Sequence, residues 1–235
     1  MKLICRNQSG AQKLLNCMLS IAFLSLVLSY IIAVMNGNHV AWLPFISELD
    51  QYNPEGRIWT FGLTLAGVVS IPIWMKLYGK WDRELRSSNA EKKWLRANLL
   101  VFVMAQIATV SLIWCVNLPF NKYPTPHVIT ASVYFWLILS VGTVAILIVR
   151  KIDNYPKDLI RVRLALNLAG YACIILMGAY VPIEMIEGLD NPNWASNHDH
   201  AIHGMAALFE WLMVFIAHIG YFYTFNYDMK GESIT

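Results

Sequence analysis

Six apolar runs, each long enough to cross a bilayer, constrain this chain more than any other feature. They occupy approximately residues 14–35, 58–78, 97–116, 129–149, 164–181 and 202–225. Crossing a hydrocarbon layer about 30 Å thick takes roughly 20 helical residues. An open strand of that composition would leave backbone donors and acceptors unpaired in lipid, so the runs must be helices. Composition supports this: 57% of the 235 residues are hydrophobic and 14% are charged, where a soluble domain is about 25% charged. A water-soluble globule is excluded. The expected fold is an all-α integral membrane protein, a six-helix transmembrane bundle forming a single domain over residues 1–235. No loop is long enough to fold alone.

The basic residues orient the bundle. The N-terminal tail, the connections after the second and fourth runs, and the C-terminal tail carry 16 of the 18 Lys and Arg residues; Arg57 and Lys122 alone fall on the other side. The positive-inside rule then places both termini in the cytosol. The acidic residues show no such bias, with 7 on each side and Glu210 inside a run. Lys80, Arg83, Arg86, Lys92, Lys93 and Arg96 form a basic cluster between the second and third spans. Such a cluster attracts anionic inner-leaflet lipid; the plainer alternative is that it only sets topology. A cytosolic adaptor or kinase complex is the other partner this face suits, and no nucleic-acid partner is expected. The first run exceeds the roughly 7–15 residues of a signal-peptide core and no small-residue cleavage site follows, so a signal anchor is expected. The 4 cysteines are scattered between spans and the cytosolic tail and suggest no disulfide framework.

Two stretches on the acidic side carry chemistry. In WLPFISELDQYNPEGRIW, residues 42 to 59, Pro44 and Pro54 each restrict the preceding residue, so the loop is expected to be ordered. Glu55 follows a turn and stands at the start of the second helix, where the dipole favours a carboxylate. In NPNWASNHDHAIHGMAALFEW, residues 191 to 211, His198, His200 and His203 could supply three ligands to zinc. The spacing is not that of a known zinc motif, and the plainer reading is a polar start to the last helix. Neither a metal nor a cofactor is expected. Glu210 differs, because an ionisable residue inside a span is costly and faces the bundle interior, a cavity or a partner. His203, His127 and His218 are its candidate partners. An interhelical lock and a lipid- or proton-accessible pocket both fit it. If the chain were an enzyme, His200, His203 and Glu210 would be its catalytic set.

Two blocks resemble the DRAM/FRAG/Sfk family of six-span membrane proteins, the damage-regulated autophagy modulator-like group. The first block is Pro44, Phe45, Ile46 and Ser47, then Pro54 and Glu55 ahead of an apolar helix. The second is the last helix, with Ala206, Glu210, Trp211, Thr224, Phe225 and Asp228 in matching places. ELDQYN departs from the family's usual short segment and HDHAIH is more polar than in the DRAM branch, so the branch stays open. The resemblance implies a non-enzymatic multi-pass regulator or adaptor in membrane-lipid homeostasis, phosphoinositide-kinase recruitment or autophagy. Its alternative implication is a GPI-anchor lipid-remodelling enzyme or subunit with a His/Glu outer-side site. His203, Glu210, Trp211, Ser47 and Glu55 are the lipid-pocket candidates. Lysosome, Golgi/ER and plasma membrane are all open as the compartment.

Overall fold

The computed structural model describes residues 8–39, 42–180 and 200–233, with side chains in the last segment from Gly204 onward. Six helices in it are long and apolar enough to cross a membrane. They are α1 (Gly10–Met35), α2 (Glu55–Ser87), α3 (Lys92–Val116), α4 (Pro124–Val149), α5 (Lys157–Tyr180) and a last span that begins as α6 (His200–Met213). A 3-10 turn, Ile46–Asp50, stands between α1 and α2. Ser9 and Gln12 begin α1 as a capping box, each accepting the other's backbone N–H, at 3.2 and 2.9 Å. Pro124 opens α4 in the first turn, where its missing N–H costs nothing.

Helices α1 to α4 pack side by side in chain order. The last span returns between α4 and α1 and closes the ring. Its Phe215 and Trp211 meet Phe23 and Tyr30 of α1, and its His218 meets Tyr134 and Phe135 of α4. Helix α5 lies outside this ring, against the last span and α4. Without a hydrophobic force between helices in lipid, close approach depends on small residues. Gly62 provides this for α1 and α2, since a Cβ there would overlap the Ser25 side chain. Gly142 does the same against Asn167 of α5.

Helix α2 runs well past the expected end at 78. Leu77, Trp81 and Leu85, four apart, are fully buried. The core-facing stripe therefore continues while Lys80, Asp82, Arg83 and Glu84 between them lower the average hydropathy. The last span also departs from a simple helix. After Met213 it widens into a π-helical stretch, Val214–Gly220, then tightens through Tyr221–Tyr223 and a 3-10 turn, Thr224–Asn226. This changes the angular relation of His218 to Glu210 from the one a uniform α-helix would give.

The basic end is closed by a buried polar node. Arg163, expected in the loop before the fifth span, lies inside α5 and is 0% exposed, as is Asp228 from the C-terminal tail. They form an ion pair. Asp228 also accepts from Trp81 Nε1 at 2.9 Å and from the Tyr155 hydroxyl at 2.8 Å. Arg163 donates to Tyr155 Oη at 2.6 Å, to Thr224 Oγ1 at 2.9 Å and to the Thr224 carbonyl at 3.1 Å. Its guanidinium lies over the Phe225 ring. Burial and the negative charge of Asp228 hold the Tyr155 phenol above its usual range. Thr224, Phe225 and Asp228, half of the second resemblance block, thus belong to one node joining α2, α5 and the last span. The tail also holds the start of α1: Ser9 Oγ donates to the Met229 carbonyl and Gln12 Nε2 to that of Asn226 at 2.8 Å.

Candidate functional site

The first loop on the acidic side lies across the mouth of the ring, and carboxylates hold it there. Backbone groups brought into an apolar interior need partners. Glu210 supplies one: its Oε2 accepts the Ile46 N–H at 2.6 Å. Trp211, the next residue, donates from Nε1 to the Pro44 carbonyl at 2.8 Å. Ala206 and Ala207, one turn earlier, leave room for Phe45, which packs on them. Residues 44–47 and 206–211, the two blocks that carry the family resemblance on this side, are therefore one contact. Within the loop, Glu48 accepts from Phe45 N at 2.8 Å. Asp50 reaches across to accept the Phe120 N–H at 3.1 and 3.2 Å. Burial pushes the Asp50 carboxyl up to about 7; the Phe120 N–H opposes this and the charge of Glu48 adds to it. Glu55 starts α2 as expected but is 0% exposed. It accepts from the side chains of Asn36, at 3.3 Å, and Asn38, and its carbonyl accepts the Ser29 hydroxyl at 3.0 Å.

Beneath this loop are two adjoining apolar pockets, an inner and an outer lobe. The inner lobe, about 130 Å³, is central to the ring and bounded by α1, α2, α3, α4 and the last span. The outer lobe, about 380 Å³, lies between α4, α5 and the last span. Ser47, His127, Ala131, Phe135 and Glu210 line both. The rim of the outer lobe includes Ser132, Trp136 and Gly178, which are exposed on the lipid-facing side. Few polar atoms enter either lobe. Two that line the inner one, Trp59 Nε1 and His218 Nε2, have no hydrogen-bond partner among the described residues. The His218 Nδ1 contact with the Met213 carbonyl, at 3.2 Å, puts the proton on Nδ1 and leaves Nε2 an acceptor. His127 is engaged at both nitrogens, with the Leu118 carbonyl at 2.7 Å and Cys115 Sγ at 3.5 Å.

Of the pocket candidates, Glu210 and Ser47 meet in the cavity. Trp211 stands beside it in the loop clasp, and Glu55 sits apart under Asn36 and Asn38. His198 and Asp199 lie outside the described residues, and so do the side chains of His200 and His203. The zinc reading and two members of the catalytic set therefore fall outside the described residues. Among the described residues, no cluster of three or more His, Cys, Asp or Glu could hold a metal. Of the histidines paired with Glu210 in the sequence reading, His127 and His218 share its cavity but bond elsewhere. From the sequence, Asp50 is an outer-loop acid that could join the histidines only if the loops fold together, and Trp59 is an aromatic at the interface; neither position carries a local signal of its place in the site.

At the basic end, most of the cluster is paired. Lys80 meets Glu84 at 3.5 Å, Arg83 meets Glu232 at 2.7 Å, Arg86 meets Asp82 at 2.7 Å and Lys93 meets Glu91 at 2.8 Å. Such surface pairs, screened by solvent, add little to stability. Lys92 and Arg96 make no ion pair among the described residues.

A family model described as the Frag1/DRAM/Sfk1/Cwh43P N-terminal domain matches residues 12–232. No curated protein and no solved structure matches the chain.

Proposed function

The chain belongs to the Frag1/DRAM/Sfk1/Cwh43P family of multi-pass membrane proteins, and on that premise we propose that it is a non-enzymatic regulator of membrane-lipid homeostasis that holds a membrane lipid in the cavity at Glu210. The observation that carries this is the cavity itself. Its outer lobe falls within the roughly 300–1,000 Å³ of ligand pockets. It is apolar, opens beside α4 and α5 at residues that face lipid, and narrows to a few polar groups. That is the shape an acyl chain with a small polar end would fill. Glu210 and His127 are committed to holding the loop and the α3–α4 connection. This favours a binding role over proton transfer and so weighs against the hydrolytic alternative. At the basic end, Lys80, Arg83, Arg86, Lys92, Lys93 and Arg96 would meet anionic lipid or a cytosolic kinase complex, coupling the occupied bundle to partners on that side.

Ala131 faces both lobes, so Ala131→Phe should fill the cavity without touching the Glu210 clasp. Lipid co-purifying with the protein in mild detergent is measured by mass spectrometry. The variant should lose a lipid species retained by the unaltered protein while melting within a few degrees of it. An unchanged lipid complement would refute the proposal.

A further inference from the structure

Arg57 and Lys122 are the only basic residues that the sequence places on the acidic side, and the fold brings them to one groove. The groove is about 440 Å³ and is formed by the start of α2, the first loop and the α3–α4 connection. Gln51, Asn53, Thr60 and Asn121 line it beside the two bases. Both cations are exposed and neither makes an ion pair among the described residues, although this side is rich in acids. Among the described residues, those acids are occupied. Glu48 binds Phe45 N, Glu55 binds Asn36 and Asn38, and Glu210 binds Ile46 N. Asp50 also lines the groove, but both its oxygens turn to the Phe120 amide. Two cations surrounded by amide and hydroxyl donors are thus left facing outward on the side that the positive-inside rule depletes of them.

The groove also sits at the head of two exposed apolar stripes. Phe61, on its rim, is 71% exposed, and Leu65 and Val68 continue the exposed stripe down α2. Trp114, Val110 and Ile107 form the matching stripe on α3. Asn117, where α3 ends, donates to Thr64 Oγ1 at 2.8 Å and joins the two helices just below the bases.

We infer that this groove binds the phosphate headgroup of an anionic phospholipid in the outer leaflet, its acyl chains lying along the exposed stripes of α2 and α3. Arg57 offers a planar fork of donors suited to two phosphate oxygens, and Lys122 a second, point-like charge. The amides of Asn53 and Asn121 and the Thr60 hydroxyl supply neutral donors. The site lies on the opposite flank of the ring from the α4–α5 opening and does not depend on the lipid cavity proposed above.

The full-length protein in maltoside micelles is titrated with short-chain phosphatidylglycerol, with the matching diacylglycerol and with inorganic phosphate, and binding is followed by native mass spectrometry. Phosphatidylglycerol should bind and diacylglycerol should not. Arg57→Gln with Lys122→Gln should weaken phosphatidylglycerol binding at least about tenfold, the scale of losing charge-assisted hydrogen bonds. Ala131→Phe in the cavity should leave this component unchanged. Arg57→Lys with Lys122→Arg keeps both charges and should keep binding, which guards against a folding defect. Inorganic phosphate binding as tightly as the lipid would overturn the lipid assignment and point to a soluble phosphate. Undiminished phosphatidylglycerol binding by the double Gln variant would overturn the site itself.

Discussion

Replacing Asp228 by Ala should cost more stability than any exposed ion-pair substitution in the chain. Asp228 accepts from Trp81, Tyr155 and Arg163, and all the side-chain surface of the Arg163–Asp228 pair is buried. Removing the carboxylate leaves a guanidinium with no counter-charge in an apolar setting. Breaking a buried pair from one side costs about 3–5 kcal/mol, because the remaining charge is uncompensated. The orphaned Trp81 donor belongs to the same network, so its loss is not simply additive, and about 4 kcal/mol is a reasonable total. For a chain of 150–250 residues, 1 kcal/mol moves Tm by roughly 2–4 °C, so Tm should fall by about 8–16 °C. Thermal unfolding of the purified protein in detergent, followed by tryptophan fluorescence, measures this. Two companions separate charge from packing. Asp228→Asn keeps an acceptor for Trp81 and should lose less. Arg163→Met combined with Asp228→Leu removes both charges and should recover most of the loss. An Asp228→Ala variant melting within about 2 °C of the unaltered protein would refute the reasoning, and so would a double variant no more stable than the single one.

Glu210→Gln keeps a carbonyl for the Ile46 N–H and should hold the loop, whereas Glu210→Ala strands that donor and should cost about 1–3 kcal/mol. Limited proteolysis of residues 42–53 alongside melting curves would show it, and equal behaviour of the two variants would count against the clasp. Asp50 ionises near 3.8 when unfolded but near 7 in the fold, so the folded state holds the extra proton between those values. Its contribution to stability therefore falls as pH rises from about 4 to about 7 and is level above that. Asp50→Asn should remove this slope and be the more stable form at pH 8, and a stability difference constant from pH 4 to 8 would contradict it. Gly62→Leu drives a side chain into Ser25 of α1 and should destabilise by about 1–3 kcal/mol or more, read as a lower Tm, while Gly178→Leu, with nothing within 4 Å of its added Cβ among the described residues, should not.

The six spans were legible because their signal is local and lengthwise. An apolar run of bilayer length has one solution in lipid, and no tertiary contact is needed to choose it. Helix ends were less legible, because the amphipathic continuation of α2 through Leu77, Trp81 and Leu85 has a periodicity but not a high mean hydropathy. The importance of Glu210 was also visible, since a lone acid within a span must find a partner, but the partner was not. The sequence pointed to His203, His127 and His218, and the fold supplied the backbone N–H of Ile46, 164 residues away.

By itself, the sequence determined a six-span helical membrane protein with a basic and an acidic end, and it singled out residues 44–47 and 206–211. Only the tertiary structure decided that these two segments are one contact, and that Arg163 and Asp228, which look like loop and tail charges, form a buried pair. It also decided that Arg57 and Lys122 share a groove. The reason is the range of the forces. Burial in lipid acts on each segment alone and is written in its composition. The partner of a polar group depends on which helices stand side by side, and small residues such as Gly62 and Gly142 set that from many positions away.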